Sequence, residues 1–247
     1  NRGMHIVIDG VFNHCSWYFP QFSDVVEKGE SSEYANWFYQ LQFPVIRPAT
    51  EEEKPTYSCF AYERKMPKLN SSNPEERAYF MEVCRYWIRE FKVDGWRLDV
   101  ANEVDRGFWR DFHRAAHEEN PESVMIGEIW ESSETWLNGD MFDSTMNYDF
   151  RKNCRDFFAL RKISAEEFHD RIVKMLLRYR TGTLRGQLNL LDSHDVNRFL
   201  SYCEGDLRRF RLAEVFLFTS PGIPCVFYGD ELGMDGSSET TLADCYS

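Results

Sequence analysis

No stretch of about 20 apolar residues occurs in this 247-residue chain, which excludes a helical membrane span. A basic surplus is missing as well. With 29 Lys and Arg against 41 Asp and Glu, the formal net charge is -12. A phosphate backbone needs a basic face, so nucleic acid is excluded as a partner and a neutral ligand fits better. The seven cysteines (15, 59, 84, 154, 203, 225 and 245) are odd in number and never form Cys-x-x-Cys. That excludes a zinc ribbon and a disulfide framework, and the expectation is reduced thiols in a cytoplasmic protein. The chain opens Asn1-Arg2-Gly3 with neither a basic n-region nor an apolar h-region, so no secretion signal is expected. Internal repeats of 20 to 50 residues are absent too.

What is present is a large apolar share, 43%, with aromatics at 16%. This is ample for one sizeable core, with some rings left over as flat walls of a pocket. Strand-like and helix-like signals alternate about six times. His5 to Ile8 reads as a buried strand ending at Asp9. Asn73-Pro74-Glu75-Glu76 reads as a helix start. The helix it opens should bury Phe80, Val83, Cys84, Trp87, Ile88 and Phe91 on one face. Val93 to Val100, Val124 to Ile129, Ser144 to Tyr148, Gln187 to Leu191 and Ile223 to Tyr228 read as strands. Phe108 to Asn120 and Leu207 to Thr219 read as helices, and Ser164 to Glu167 as a capping box. Residues 15–64 are aromatic, polar and weakly periodic, better read as an inserted subdomain than as a loop. The expected organisation is a catalytic α/β domain over 1–14 and 65–247, with 15–64 inserted. Alternation implies a parallel sheet with covering helices, and by itself leaves an open sheet and a barrel as alternatives.

Four short segments place polar residues where strands end: Asp9-Gly10-Val11-Phe12-Asn13-His14, Gly95-Trp96-Arg97-Leu98-Asp99, Gly127-Glu128-Ile129-Trp130 and Ser193-His194-Asp195. In parallel α/β folds the carboxyl ends of the strands form the reactive face. Three carboxylates delivered there suit acetal cleavage, with a nucleophile, an acid that later acts as base, and a third that supports an oxocarbenium-like state. Arg97 and Asp99 share one strand face, and a guanidinium favours an ionised nucleophile. Glu128, between Ile126 and Trp130, sits in a more apolar setting of the kind that suits a protonated acid. Any one segment alone reads equally well as structural. His113 and His117, four apart on a helix, have no His-Glu-x-x-His pattern and are read as a helix face rather than metal ligands.

Taken in order, the four segments resemble the signature regions of the α-amylase superfamily, glycoside hydrolase family 13. A fifth, Met66-Pro67-Lys68-Leu69-Asn70, is similar to that superfamily's additional region. With Val100-Ala101-Asn102-Glu103, the pattern resembles the neopullulanase, cyclomaltodextrinase and maltogenic amylase group. The resemblance implies a (β/α)8 barrel, incomplete here and covering about strands 3 to 8, with the insertion after strand 3. It implies Asp99 as nucleophile, Glu128 as acid/base and Asp195 as transition-state stabiliser. It implies substrate contacts for His14, Arg97, His194 and Glu103, and structural support from Asp9 and Asn13. No cofactor is required. The asparagine at the Asn13 position also ligates calcium in many α-amylases, but the Lys-His pair that follows the nucleophile there is replaced here by Asn102-Glu103. The reading therefore assigns no metal ligand.

The implied activity is hydrolysis of α-glucosidic bonds in cyclomaltodextrins, pullulan or malto-oligosaccharides. Transglycosylation and α-1,6 cleavage use the same trio and remain open. A non-catalytic glucan-binding or transport-accessory relative would be expected to lose these carboxylates. A longer parent protein, with the remaining barrel strands and the group's N-terminal β-domain, is expected to form a homodimer, and the fragment alone is expected to lack activity.

Overall fold

The computed structural model describes residues 2–50 and 52–236. Cys245, and the end of the 65–247 stretch beyond residue 236, lie outside the described residues. The chain divides into two compact units. One takes the residues up to Glu128 together with Gly139–Phe142; the other takes Ile129–Asn138 and the residues from Asp143 onward.

In the first unit, β1 (Val7–Gly10), α1 (Pro20–Lys28), α2 (Pro74–Phe91), β2 (Gly95–Leu98), α3 (Arg106–Glu119) and β3 (Val124–Gly127) follow one another. The three strands pair in parallel in the order β1-β2-β3, with Asp9 opposite Arg97 and Leu98 opposite Gly127. Gly95 is required by close approach: a Cβ there would lie 2.2 Å from the Val124 carbonyl oxygen. Asn73 caps α2 by accepting from the amides of Glu75 and Glu76, with Pro74 in the first turn, as the sequence predicts. Asp105 caps α3 by accepting from Phe108. The core centres on Phe12, whose ring meets Phe80 at 5.3 Å, Phe112 at 4.9 Å and Trp96 at 5.9 Å. Trp109, fully buried, ties this core to the turn after β2 by donating to the Ala101 carbonyl at 2.7 Å.

The predicted buried face of α2 is too wide. Phe80, Cys84 and Ile88 are buried, but Trp87 and Phe91 are 37% and 56% exposed. They meet each other at a tilt and Tyr86 edge-on. Spacing of three and four selects a stripe, and its flanks need not be covered.

Residues 15–64 lie in this first unit and carry α1, with Phe22 packed edge-on against Phe38 and Tyr57. Single antiparallel bridges link Phe38 to Leu69, Cys59 to Pro67 and His14 to Lys68.

The second unit contains β4 (Ser144–Asn147), α4 (Tyr148–Cys154), α5 (Ala165–Leu177), α6 (Thr181–Gly186), β5 (Leu188–Leu190), α7 (Phe199–Tyr202), α8 (Leu207–Thr219) and β6 (Ile223–Cys225). β4, β5 and β6 pair in parallel. Their inner face carries a polar ladder, with Thr145 donating to Gln187 at 2.9 Å and Asn147 to Asn189 at 2.8 Å. Phe150, Met175, Phe199, Phe210 and Leu217 pack as the apolar core beneath the helices. Ser164 caps α5 by accepting from the Glu167 amide. The reciprocal half of the predicted box does not form, because the Glu167 carboxylate takes Arg171 at 2.6 Å instead. The strand predicted over 223–228 ends at Cys225.

Six of the seven cysteines fall among the described residues and all six are free thiols. Among the described residues no helix is long and apolar enough to cross a membrane.

One buried acid in the first unit lacks compensation. Glu76 is fully buried, and neither carboxylate oxygen has a hydrogen-bond partner. Burial, against the opposing charge of Arg77, pushes its carboxyl up to about 8. The folded chain therefore keeps a proton that the unfolded chain, with an ordinary value near 4.5, releases as pH rises through that window. Stability should fall between about pH 4.5 and 8, by roughly 3–5 kcal/mol from this group. Urea unfolding of wild type and Glu76→Gln at pH 5 and pH 8 measures it. The wild-type decline should exceed the variant's, and parallel declines would remove Glu76 as the source.

Candidate active site

Each strand of the first unit ends in a charged residue, and parallel register lines these ends up. Asp9 of β1 faces Arg97 of β2. The Asp99 amide donates to the Gly10 carbonyl at 3.0 Å and the Glu128 amide to the Leu98 carbonyl at 2.9 Å. The ladders thus run one residue past the strands and carry Asp99 and Glu128 to the same end.

There the Arg97 guanidinium gathers three carboxylates. Nη1 meets Asp9 Oδ1 at 2.8 Å and Asp99 Oδ1 at 2.6 Å, and Nη2 meets Glu128 Oε2 at 2.9 Å. The Asp9–Arg97 pair ties the ends of two neighbouring strands together. The three inner groups are shielded, with side-chain exposures of 13% for Arg97, 18% for Asp99 and 4% for Glu128.

Shielding changes the electrostatics expected from sequence. Arg97 does favour the ionised form of Asp99, but burial outweighs it. With the Glu128 charge and a hydrogen bond between the two carboxyls, Asp99 is pushed up to about 6. Below about pH 6 the pair therefore holds a proton. Nor is the surrounding of Glu128 simply apolar: Oε2 also accepts from the Val100 amide at 3.0 Å.

Val100, which the sequence reads as the end of the strand Val93 to Val100, lies beyond that strand, which ends at Leu98. It has φ 44° and ψ 44°, left-handed backbone at a β-branched residue directly after Asp99. Such a conformation persists only where its surroundings over-determine it. Here the Val100 amide is held by the Glu128 carboxylate and the Ala101 amide by the Glu128 carbonyl at 3.1 Å. The only signal in the sequence was position, since Val100 follows the acid.

His14 is buried on a backbone clamped by Leu69 donating to Asn13 at 3.1 Å and Cys15 donating to Pro67 at 3.0 Å. Its imidazole stacks on Phe60 at 4.6 Å with 3° between planes. Burial, then the Lys68 charge, against Glu103, pushes it down to about 4. It is therefore neutral at neutral pH. Asn13 Nδ2 lies 3.4 Å from Nδ1 and can only donate, which leaves the ring proton on Nε2. Glu103, on the turn Ala101–Glu103, meets Lys68 Nζ at 2.6 Å. His113 and His117 stack on each other at 4.0 Å along α3, with His117 Nδ1 at 2.9 Å from the His113 carbonyl.

His194 and Asp195 belong to the second unit, on the turn after β5, with His194 Nε2 3.3 Å from Asp195 Oδ1. The Asp195 amide donates to Ser193 Oγ at 3.3 Å, and Ser193 contacts the Tyr148 hydroxyl at 3.3 Å. Tyr148 stacks on Trp130 at 4.2 Å. Trp130 was legible only as the last residue of the Glu128 motif, and its stacking partner was not legible at all.

The chain matches the family described as alpha amylase, catalytic domain, over residues 1–245. It is 43% identical over 244 residues to a cyclomaltodextrinase of Geobacillus thermopakistaniensis, covering 99% of this chain and 41% of that protein. It is 45% identical over 239 residues to neopullulanase 2 of Thermoactinomyces vulgaris, covering 96% of this chain and 40% of that one. Among solved structures, a cyclomaltodextrinase superposes with a TM-score of 0.91 at 44% identity, over 96% of this chain and 40% of the other. The ligand-free cyclic alpha-maltosyl-(1-->6)-maltose hydrolase from Arthrobacter globiformis superposes with a TM-score of 0.90 at 39% identity, over 96% and 52%. The chain thus spans about two fifths of the length of the curated relatives it matches. Its parallel strands and covering helices are those of an incomplete (β/α)8 barrel, and the chain belongs to the alpha-amylase catalytic-domain family.

Proposed function

We propose that the protein carrying this chain is a retaining glycoside hydrolase that cleaves α-glucosidic bonds in cyclomaltodextrins, pullulan or malto-oligosaccharides. One observation carries the reading: Asp99 and Glu128, from neighbouring strands, meet on a single guanidinium. Inverting enzymes keep their two carboxyls about 6.5–9.5 Å apart to admit a water, whereas retaining enzymes bring them to about 5–5.5 Å. Carboxyls sharing one guanidinium belong with the close pairs. In this reading Asp99 attacks the anomeric carbon and forms a glucosyl ester. Glu128 protonates the leaving oxygen and then, as a base, takes a proton from the water that hydrolyses the ester. Arg97 orients Asp99, and Asp9 and Asn13 support that arrangement. His14 presents its Nε2 proton to a sugar hydroxyl, and His194, Asp195 and Glu103 take the substrate-contact and charge-stabilising roles that the family motifs suggest.

The names of the relatives, a cyclomaltodextrinase, a neopullulanase and a cyclic maltosyl-(1-->6)-maltose hydrolase, support an oligosaccharide substrate of this class. The last of these keeps α-1,6 cleavage as a second reading beside α-1,4. The reading includes residues 15–64 as an inserted subdomain, supported by α1 and the Phe22 cluster. It includes a cytoplasmic setting, supported by free thiols, and a homodimer of the longer protein. It routes no step through a metal.

Replacing the two acids separates their roles. Asp99→Asn and Glu128→Gln should each lower kcat on β-cyclodextrin by about 10³-fold or more. With an α-glucosyl fluoride, whose leaving group needs little protonation, Glu128→Gln should still form the glucosyl-enzyme and Asp99→Asn should not. Trapping with a fluorinated glucosyl donor and peptide mass analysis should place the label on Asp99. A label elsewhere, or a first product of inverted anomeric configuration, would overturn the mechanism.

The pH profile gives a second test. The proton held by the Asp99–Glu128 pair is present below the raised value of about 6 and lost above it. The reaction needs one acid protonated and one ionised, so kcat/KM should decline as pH rises through about 6. A plateau extending to pH 9 would show that this pair does not set the alkaline limb.

A further inference from the structure

The segment Met66-Pro67-Lys68-Leu69-Asn70 stood out in sequence, yet the proposed reaction gives none of its side chains a task. Its backbone is held on two sides. Lys68 bridges His14 in antiparallel fashion, and it also accepts from the Tyr39 amide at 3.2 Å and donates to the Ser58 carbonyl at 2.9 Å. Residues paired across an antiparallel bridge project to the same side, so the Lys68 side chain leaves the backbone beside the His14 imidazole. It ends with Nζ 2.6 Å from Glu103 Oε2, and its side chain is only 20% exposed. No other ion pair is recorded for Glu103 among the described residues, and the turn that carries it follows the left-handed Val100.

We propose that Lys68 is a positioning residue for glucan binding, its ammonium fixing the Glu103 carboxylate beside the neutral His14 so that both present hydrogen-bonding atoms to neighbouring sugar hydroxyls. The inference rests on the α-glucan reading above. Three features carry it. The lysine stem is anchored at both flanks of its backbone, so it approaches Glu103 from a fixed origin. One carboxylate oxygen is engaged by Nζ, which leaves Oε1 as an acceptor. The Lys68 charge also opposes protonation of His14, which keeps Nε2–H as donor and Nδ1 as acceptor for Asn13. A neutral, hydroxyl-rich ligand is recognised by such an alternation of donor and acceptor rather than by net charge.

These groups bind hydroxyls that change little between ground state and transition state, so removing their support should act on KM more than on kcat. In the intact protein, with β-cyclodextrin as substrate, Lys68→Met should raise KM about 5-fold and change kcat less than about 2-fold, the scale of a partly exposed ion pair. Lys68→Arg, which retains the charge, should recover most of the wild-type KM. The double variant Lys68→Met/Glu103→Gln should be no worse than the poorer single variant, because both remove the same interaction. Thermal melting of each variant separates folding from positioning. A wild-type KM in Lys68→Met, additive losses in the double variant, or failure of Lys68→Arg to recover would overturn the role of Lys68 while leaving the α-glucan reading standing. Absence of turnover and of β-cyclodextrin binding in the wild type would overturn that reading, and the role with it.

Discussion

A single guanidinium makes the reactive end of the first unit tenable. Asp9, Asp99 and Glu128 arrive from three neighbouring strands, and the 3.0 and 2.9 Å ladder bonds that place them allow little retreat. Two like charges about 4 Å apart at an effective dielectric of about 20 repel by roughly 4 kcal/mol. Arg97 meets all three through two nitrogens of one plane, a geometry an ammonium cannot supply. It does not neutralise the cluster, since three carboxylates face one cation. The surplus negative charge, with burial, shows in the Asp99 carboxyl being pushed up to about 6. Structural and chemical requirements coincide here: the cation that lets the acids sit together also sets which of their protonation states is populated.

Two buried glutamates in the same unit show how much depends on partners. Glu128 has an arginine and a backbone amide on one oxygen. Glu76, more deeply buried, has neither. Burial is common to both and the partners differ: desolvation opposes the charged form in each case, and hydrogen-bond partners meet it only at Glu128.

The fold was legible wherever local rules and tertiary packing agree. Asn73-Pro74 starts α2 because an Asx cap and a proline at the first turn need nothing from elsewhere. Asp9, Arg97, Asp99 and Glu128 could be read as strand-end groups because strand period fixes their face. What the sequence did not yield were features decided by contact between segments far apart. Trp87 and Phe91 fit the helical stripe but lie on its uncovered flank. Glu167 fits the reciprocal cap but finds Arg171 a better partner. Asp99 looked ionised beside Arg97, and the burial that reverses the shift cannot be seen along a strand. Lys68 stood out as part of a motif, but its task depends on Glu103, 35 positions away.

Val100 has a consequence for how this family member can change. Its left-handed backbone holds energy that a glycine would release, since glycine adopts that conformation without a Cβ penalty. Substitution there would relax the strain and also loosen the turn that seats Asp99 against the Glu128 carboxylate. Selection for heat resistance alone would therefore favour relaxed residues at this site, and selection for turnover would remove them. The residue next to Asp99 is where durability and speed pull in opposite directions.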